Sequence, residues 1–366
     1  MRVEKIVLNG WRNYEWETFE FSPDTNVIAG ENAQGKTNLL EAIYILSAGK
    51  SFRTRFDREL IGFDYSEAEL LAKVESHGRE HDIKIKLKNG APKKITVNGV
   101  KKNSGELAET LNTVLFCPDD LNLIKEGAAC RRKLMDNAIS QIRPKYAQLL
   151  SDFNRYYENK NRILKDWREK PSLLDTIDEF SDGICRTSAQ LIRYRAAFTS
   201  RLKDAAAPIH MEFSGKGENL DIAYRTVSTV TDPFSSAKEI YYELCEHQES
   251  HRKAEIESGL VLTGAHKDDL EISINGNNAR MFASQGQTRT AALSIKLAER
   301  EIVLAETGEY PVLLLDDVLS ELDEKRQAFV LNRIGGGQTL ITCCEDEGIS
   351  KKTGGRVIMI NKGRAV

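Results

Sequence analysis

The stretch GENAQGKT, residues 30–37, constrains this chain more than any other. It matches the G-x-x-x-x-G-K-[ST] pattern in full, in which glycines let backbone N–H groups wrap phosphates and the lysine adds a positive charge. Residues 26–29 read as a short buried strand, and residues 36–47 read as an apolar helix closed by Gly49. Phosphate would therefore bind at a helix N-terminus, which a chance glycine-rich turn would not provide. The pattern predicts a nucleotide site made by Gly30, Glu31, Asn32, Ala33, Gln34, Gly35, Lys36 and Thr37.

A nucleotide site of this kind also needs a carboxylate for its Mg²⁺, and the best candidate lies 280 residues after Lys36. The sequence PVLLLDD, residues 311–317, is apolar on consecutive positions, as expected of a parallel strand buried on both faces. We expect Asp316 to hold Mg²⁺ with the Thr37 hydroxyl, and Asp317 to orient or deprotonate the attacking water. The alternative is a core strand that merely ends in a polar loop.

The long separation between the two halves of the site predicts a large insertion. Residues 1–120 look strand-rich, with Asn-Gly hairpin turns after DIKIKLK and KKITV. Residues 121–205 have a dense, charged, helical pattern and read as an inserted helical lobe. Residues 206–366 return to strands (NLDIAYRTV, LVLTG, DDLEISING), followed by a helix, the PVLLLDD strand, another helix and two closing strands. Residues 1–120 and 206–366 are expected to form one discontinuous ATPase lobe, and the helix of residues 284–307 is a candidate to pack with the helical lobe. The separation disfavours small GTPases and leaves ATP-binding cassette heads.

Two further short motifs follow in the order found in cassette ATPases. SQGQTR, residues 284–289, opens an amphipathic helix, and Ser284 with Gln287 has the spacing of a capping box. SELDEKR, residues 320–326, has a similar interpretation as a helix cap. Each motif alone is explained by helix capping. The succession of phosphate loop, SQGQ, LLLDD and SELD favours a cassette-type head.

Composition narrows the partners and the compartment. The chain has 366 residues, a net charge of -3 and a pI of about 6.2, so DNA binding would need a local basic patch. Residues 131–203 hold 16 Lys/Arg against 9 Asp/Glu, which makes this segment the basic part. The six cysteines lack the spacing of a zinc site or a disulfide framework, and no apolar run is long enough for a membrane span. A cytoplasmic protein is therefore expected.

The same motifs carry a resemblance to a known family over essentially the whole chain. The chain resembles the RecF family of bacterial recombination mediators, which are related to SMC-type ATPase heads. The residues that carry the resemblance are WRNY (11–14), GENAQGKTNLLEAI (30–43), GKSFRTRFDRELI (49–61), FCPDDLNLIKEG (116–127), TGAHKDDLEISING (263–276), FASQGQTRT (282–290) and LLLDDVLSELD (313–323).

The resemblance implies an α/β fold: a two-lobed ABC-type ATPase head with a mixed sheet around the P-loop helix, an inserted helical lobe and no long coiled coil. It implies a homodimer that forms on ATP, in which Ser284, Gly286 and Gln287 of one subunit complete the nucleotide site of the other. It assigns Arg12 to ATP binding and Ser320 and Asp323 to the D-loop. The implied activity is a weak, DNA-stimulated ATPase. The implied DNA is gapped, with single-strand/duplex junctions, and the implied partners are RecR, RecO and RecA in gap repair.

The sequence departs from the usual cassette pattern at two places, and these departures bear on the function that the resemblance implies. Gln285 replaces the first glycine of the usual signature, which resembles the RecF and SMC branch and argues against a transporter subunit. Many cassette heads have a histidine after the last core strand, whereas here the strand runs into Thr342, Cys343, Cys344 and Glu345.

Candidate DNA contacts come from three basic groups. They are Arg53, Arg55 and Arg58 after the P-loop helix, Lys84, Lys86 and Lys88 on one strand face, and Arg131 with Arg132.

Two other functions stay open at this stage, a motor subunit of a transporter and an ATP-gated nuclease. The nuclease hypothesis draws on the Asp119-Asp120 and Asp268-Asp269 pairs, and His266 beside the second pair is a possible catalytic histidine.

Overall fold

The computed structural model describes residues 1–215, 217–344 and 348–366. The strands are β1 (Arg2–Trp11), β2 (Tyr14–Glu20), β3 (Thr25–Ala29), β4 (Glu67–Ser76), β5 (Arg79–Lys88), β6 (Ala91–Val97), β7 (Val100–Lys102), β8 (Thr113–Phe116), β9 (Leu220–Arg225), β10 (Asp269–Ile274), β11 (Asn277–Asn278), β12 (Val312–Leu315), β13 (Thr339–Cys343), β14 (Arg356–Asn361) and β15 (Arg364–Ala365). The helices are α1 (Lys36–Ala48), α2 (Ala128–Ile142), α3 (Pro144–Asp166), α4 (Ile177–Phe213), α5 (Ala237–Ser258), α6 (Ala279–Phe282), α7 (Gln285–Thr307), α8 (Glu324–Arg333) and α9 (Ile349–Thr353).

The chain divides into two compact units. Unit 1 comprises residues 1–122 and 292–366, and unit 2 comprises residues 123–291. The inserted unit therefore extends well beyond the predicted boundary at residue 205. One reason is that α4 continues to Phe213, and another is that β9 pairs along its length with β10, which keeps residues 220–274 together.

Unit 1 contains two six-stranded sheets with α1 packed into the core that they share. The first sheet is antiparallel, in the order β2-β1-β4-β5-β6-β7, and the second has the order β15-β14-β3-β13-β12-β8. Apolar and polar residues alternate along the strands of the first sheet, so that its apolar face is buried. In β5 the buried residues are Ile83, Ile85 and Leu87. Helix α1 is buried on nearly all sides, so its apolar residues are not confined to one stripe.

The strand order of the second sheet explains the long gap between the motifs. Strands β14, β3, β13, β12 and β8 run parallel, and β13 lies between β3, which precedes the P-loop, and β12, which precedes the two aspartates. The carboxyl ends of parallel strands meet at one edge of a sheet, which is where ligands bind in such folds. Residues 280 positions apart thus converge within unit 1.

Unit 2 is mainly helical and is held by buried polar contacts. The guanidinium of Arg195, 2% exposed on its side chain, donates to carboxylates of Asp136 (2.8 Å) and Asp268 (2.6 Å). Lys160 pairs with Glu255 at 2.6 Å, joining α3 to α5. Buried ion pairs of this kind cost desolvation, and they stay favourable only because each charge is closely paired.

Two predicted elements differ in the structure. The stretch LVLTG, residues 260–264, is not a strand, although Val261 and Thr263 are buried. Helix α5 was missed because its buried face includes His247, Gln248 and Glu255, which interrupt the apolar periodicity. Among the described helices, none combines the length and apolar character that crossing a bilayer requires.

Candidate nucleotide-binding site

The P-loop has the backbone geometry that close wrapping of a phosphate requires. Gly35 has φ of 121°, and a Cβ there would lie 2.8 Å from Asn13 Nδ2 and from the Tyr14 hydroxyl. At Gly30 a Cβ would lie 2.3 Å from the carbonyl oxygen of Ile360. Only glycine fits either position without displacing a neighbour. The loop is therefore shaped by the β1–β2 turn on one side and by β14 on the other.

The P-loop lysine is held against the start of the loop. Lys36 is 4% exposed, and its Nζ donates to the carbonyl oxygens of Gly30 (2.7 Å) and Glu31 (3.0 Å). A buried ammonium that is bonded only to neutral carbonyl oxygens can exchange them for the oxygens of an anion, with which its hydrogen bonds are stronger.

Thr37 and the Asp316 carboxylate meet as the sequence predicts for a metal site. The Thr37 hydroxyl donates to Asp316 Oδ1 at 2.9 Å, although the two residues are 279 positions apart. Burial raises the pKa of Asp316, and hydrogen bonds from Thr37 and Thr342 oppose that rise. A hydroxyl and a carboxylate are oxygen ligands that suit Mg²⁺, so these residues fit the predicted ion.

Asp317 has an orphaned oxygen and a strained backbone. Its φ is 50°, and its buried Oδ1 finds no hydrogen-bond partner in the part of the chain that the structure describes. Its backbone N–H donates to the hydroxyl of Thr342 at 2.8 Å. A buried acceptor without a partner is costly in a purely structural role, which suits a carboxylate that acts on a water molecule.

Sequence reasoning missed Thr342, which contacts the carboxylate of Asp316 and the backbone of Asp317. Its hydroxyl donates to Asp316 Oδ1 at 2.9 Å and accepts the N–H of Asp317. No local motif marks this threonine, because its role arises only when β13 lies beside β12. Nearby, Cys344 Sγ donates to Asn32 Oδ1 at 3.1 Å, while Glu345 lies outside the described residues.

The predicted signature residues open α7 with the expected cap. The N–H of Gln287 donates to Ser284 Oγ (3.2 Å), and the N–H of Ser284 donates to Gln287 Oε1 (2.9 Å). Ser284 is exposed, Gly286 is half-buried, and the side-chain amide of Gln287 donates to Glu218 at 2.8 Å. The capping box therefore forms with its serine hydroxyl on the surface.

The predicted D-loop residues make local contacts after Asp317. The Ser320 hydroxyl donates to the carbonyl oxygen of Asp317 at 2.6 Å. Asp323 caps α8, where Oδ1 accepts the N–H of Arg326 at 3.0 Å. Both residues thus shape the turn that leaves the carboxylate pair.

Arg12 lies on the β1–β2 turn, and its guanidinium forms hydrogen bonds with other residues of the chain. Its guanidinium donates twice to the buried Glu41 of α1, at 2.8 and 2.9 Å, and once to the Glu59 carbonyl at 2.7 Å. Asn13, the next residue, donates to the carbonyl oxygen of Gln34 at 3.0 Å. The structure thus joins Arg12 to the P-loop through α1 and Asn13.

Comparison with known proteins gives the family. The sequence model of the family described as the RecF/RecN/SMC N terminal domain matches residues 2–363. A DNA replication and repair protein RecF from Acetivibrio thermocellus is 39% identical over 348 residues, which span 95% of this chain and 94% of the relative. A RecF from Listeria monocytogenes serotype 4b is 41% identical over 363 residues, spanning 96% and 95%. The chain belongs to the RecF family.

Solved RecF structures confirm the predicted fold class. The structure of the recombination mediator protein RecF-ATPrS in the RecFOR pathway is similar with a TM-score of 0.91 at 35% identity, covering 100% of this chain and 97% of that one. The corresponding RecF-ATP structure gives 0.90 at 35% identity, covering 100% and 96%. An Smc head from Pyrococcus furiosus, at 18% identity and a TM-score of 0.55, covers 99% and 94% and shares the fold alone.

The predicted DNA contacts of this RecF-family chain are not equally accessible. Arg53, Arg55 and Arg58 are all exposed, and Arg53 donates to Asn38 Oδ1 on α1. The structure corrects the prediction for Arg131, which is 3% exposed. Its Nε and Nη2 donate to the Asp269 carboxylate at 2.7 and 2.9 Å, and its Nη1 donates to the Glu126 carbonyl oxygen at 2.8 Å. Arg132 is half-buried and donates to the Asp268 carbonyl oxygen at 2.7 Å.

The lysines of β5 share one face, as predicted, but acidic residues of β4 face them. Lys84 pairs with Glu69 at 2.7 Å and Lys86 with Glu67 at 2.9 Å, and Lys88 is exposed. Cross-strand pairing of this kind reduces the positive field of the face.

Asp268 and His266, two of the residues considered for a nuclease, make structural contacts in this RecF-family chain. Asp268 is fully buried and accepts hydrogen bonds from Tyr224 and Thr226, while His266 packs 4.6 Å from the ring of Tyr157 and hydrogen-bonds the Val261 carbonyl. Burial lowers the pKa of His266 to about 4. Among the described residues no group of three or more His, Cys, Asp or Glu side chains is arranged to hold a metal ion.

Proposed function

We propose that this chain is an ATP-dependent DNA-binding protein of recombinational gap repair. The observation that carries the proposal is the convergence of the P-loop with the Asp316-Asp317 pair, since the Thr37 hydroxyl lies 2.9 Å from Asp316. The relatives described as DNA replication and repair protein RecF, and the similarity to RecF-ATP, support ATP as the nucleotide and DNA as the partner.

The residues divide the work of the site. Backbone N–H groups of the P-loop and the Lys36 ammonium would bind the β- and γ-phosphates. Thr37 and Asp316 would hold Mg²⁺, which neutralises developing charge when bound. The unpartnered Oδ1 of Asp317 would accept a hydrogen bond or a proton from the attacking water, so that ATP is hydrolysed to ADP and phosphate.

The proposal includes a homodimer that forms on ATP. The Ser284 hydroxyl is exposed at the start of α7 and bonded only to the local N–H of Gln287 among the contacts described, so it is suited to bind a phosphate of a nucleotide held by a second subunit. Nucleotide that binds across two subunits stabilises the dimer by mass action. Hydrolysis would then weaken the dimer and release it from DNA.

The proposed DNA is gapped, with a single-strand/duplex junction, and the proposed partners are RecR, RecO and RecA. Arg53, Arg55 and Arg58, with weaker contributions from Lys84, Lys86, Lys88 and Arg132, would contact backbone phosphates. Their combined effect would fall steeply with salt, because each contact releases counterions. Neither the transporter-motor nor the nuclease hypothesis has an observation that favours it.

The test combines sedimentation, ATP binding and ATPase assays on the wild type and two arginine variants. Ser284→Arg should bind ATP but stay monomeric, because the new side chain intrudes on the partner's nucleotide. Ser258→Arg is the matched control, since Ser258 is also exposed and in unit 2, and it should dimerise as the wild type does. ATPase stimulation should be confined to gapped DNA and decline across a salt series. Normal ATP-dependent dimers of Ser284→Arg would disprove the shared site.

A further inference from the structure

Two phenylalanine side chains project into solvent from the segment that follows α1. Phe56 is 52% exposed and Phe63 is 107% exposed, the highest value among the large hydrophobic side chains described. Their neighbours behave differently: Phe52 packs on the core of unit 1, and Leu60 and Ile61 are buried. The two phenylalanines are therefore exposed on a segment whose other large apolar side chains are covered.

The two rings flank a turn that is firmly attached to the protein. The N–H of Arg12 donates to the Leu60 carbonyl at 2.9 Å, and the N–H of Gly62 donates to the Gly10 carbonyl at 2.8 Å. An isolated bridge also joins Ile61 to Trp11. The exposure of Phe56 and Phe63 is therefore a property of an anchored segment, which can bind a ligand at little cost in ordering.

Charged residues of both signs lie beside these rings. Asp57, Glu59 and Asp64 are the acidic ones, and Asp57 is paired with Lys93 at 3.1 Å. The arginines lie nearest Phe56. The guanidinium carbon of Arg58 lies 5.1 Å from the centroid of the Phe56 ring, and Arg53 and Arg55 are exposed just before it. Aromatic rings interleaved with arginines form the type of surface on which single-stranded nucleic acid binds, since bases stack on the rings and phosphates approach the cations.

We propose that Phe56 and Phe63 stack on unpaired bases in the single-stranded part of a gapped DNA. This inference rests on the proposed function and adds to it the residues that distinguish the unpaired strand from duplex. A duplex presents its bases already stacked, so these rings would add affinity only where a base is free. A protein partner would favour a continuous apolar patch, whereas here charged residues separate the two rings.

The test uses the full chain with ATP and Mg²⁺, a gapped DNA that carries 2-aminopurine in the gap beside the junction, and a blunt duplex of matched length. Phe56→Ala with Phe63→Ala should lose about 5- to 150-fold in affinity for the gapped DNA per stacked base. It should also lose the quenching of 2-aminopurine that stacking causes, and keep the affinity for the duplex. Phe234→Ala is the matched control, because Phe234 is 58% exposed in unit 2, and it should behave as the wild type does.

Two further double variants separate ring stacking from apolar contact. Tyrosine at both positions keeps the rings and should restore both affinity and quenching, whereas leucine keeps apolar bulk and should restore neither. Wild-type behaviour of the alanine double variant, or full rescue by leucine, would overturn the stacking proposal while leaving the proposed function intact. Failure of the wild type to bind either DNA with ATP would overturn both.

Discussion

Replacing Thr342 by valine tests whether one hydroxyl positions both carboxylates of the candidate site. Thr342 is buried, and valine has nearly the same shape, so the change removes the hydroxyl with little effect on packing. The hydroxyl donates to Asp316 at 2.9 Å and accepts from the backbone N–H of Asp317 at 2.8 Å. Its loss leaves a carboxylate with one donor fewer and a backbone N–H without its partner.

The magnitude follows from these two bonds. A hydrogen bond to a charged group contributes about 1.5–3 kcal/mol, and an unsatisfied backbone N–H costs about 1–3 kcal/mol. If the misaligned Asp316 and Asp317 stabilise the transition state by about 1.5–3 kcal/mol less, which is the contribution of the lost hydrogen bond alone, kcat falls by about 10- to 150-fold. The affinity for ATP should change little, because Lys36 and the glycines of the P-loop are untouched.

The assay is steady-state ATP hydrolysis together with equilibrium binding of a fluorescent ATP analogue. Thr339→Val is a matched control on the same strand, because the Thr339 hydroxyl is buried and finds no hydrogen-bond partner among the described residues. That variant should keep kcat and gain slightly in stability, since it removes an unsatisfied polar group. A Thr342→Val enzyme with wild-type kcat, or a Thr339→Val enzyme as impaired as it, would refute the reasoning.

Three further predictions concern the P-loop lysine, the orphaned carboxylate and a buried histidine. Lys36→Ala should weaken ATP binding by at least about tenfold, because it removes a charge-assisted contact to phosphate, whereas Lys50→Ala should not; isothermal titration measures both. Asp317→Asn should bind ATP and dimerise while hydrolysis slows by about 10²- to 10⁴-fold in a single-turnover assay, and rapid hydrolysis would rule out Asp317 as the base. Burial lowers the pKa of His266 from 6.5 to about 4, so the unfolded chain binds more protons in this range and stability is lost as pH falls from 6.5 to about 4. Urea unfolding from pH 7 to pH 4 should show this loss, up to about 3 kcal/mol, and His266→Gln should reduce its slope while His81→Gln does not.

The elements that sequence predicted well are those whose signals are local. The unit of β3, P-loop and α1 combines an apolar strand, a glycine pattern and a helix closed by Gly49, which has φ of 64°. The Asn98-Gly99 turn has positive φ at both residues, as hairpins of this length require. In each case the residue types alone restrict the backbone.

The elements that sequence missed depend on partners distant in the chain. Helix α5 begins with a capping box at Ser236 and Glu239, a signal that could have revealed it. Its buried Glu255 is tolerated only because Lys160 pairs with it. The sequence predicted Arg131 as a surface cation, whereas the structure pairs it with Asp269, which lies 138 positions away.

The sequence by itself determined that this chain has a phosphate loop, a strand ending in two aspartates, and a serine that caps a helix, because these depend on chemistry between near neighbours. Only the tertiary structure decided that β13 lies between β3 and β12, which brings Thr37, Thr342 and Asp316 within hydrogen-bonding distance. The tertiary structure also decided which lysine and arginine side chains are exposed and which form ion pairs within the protein. The physical reason is that strand order and burial result from packing of the whole unit, which no short stretch of sequence encodes.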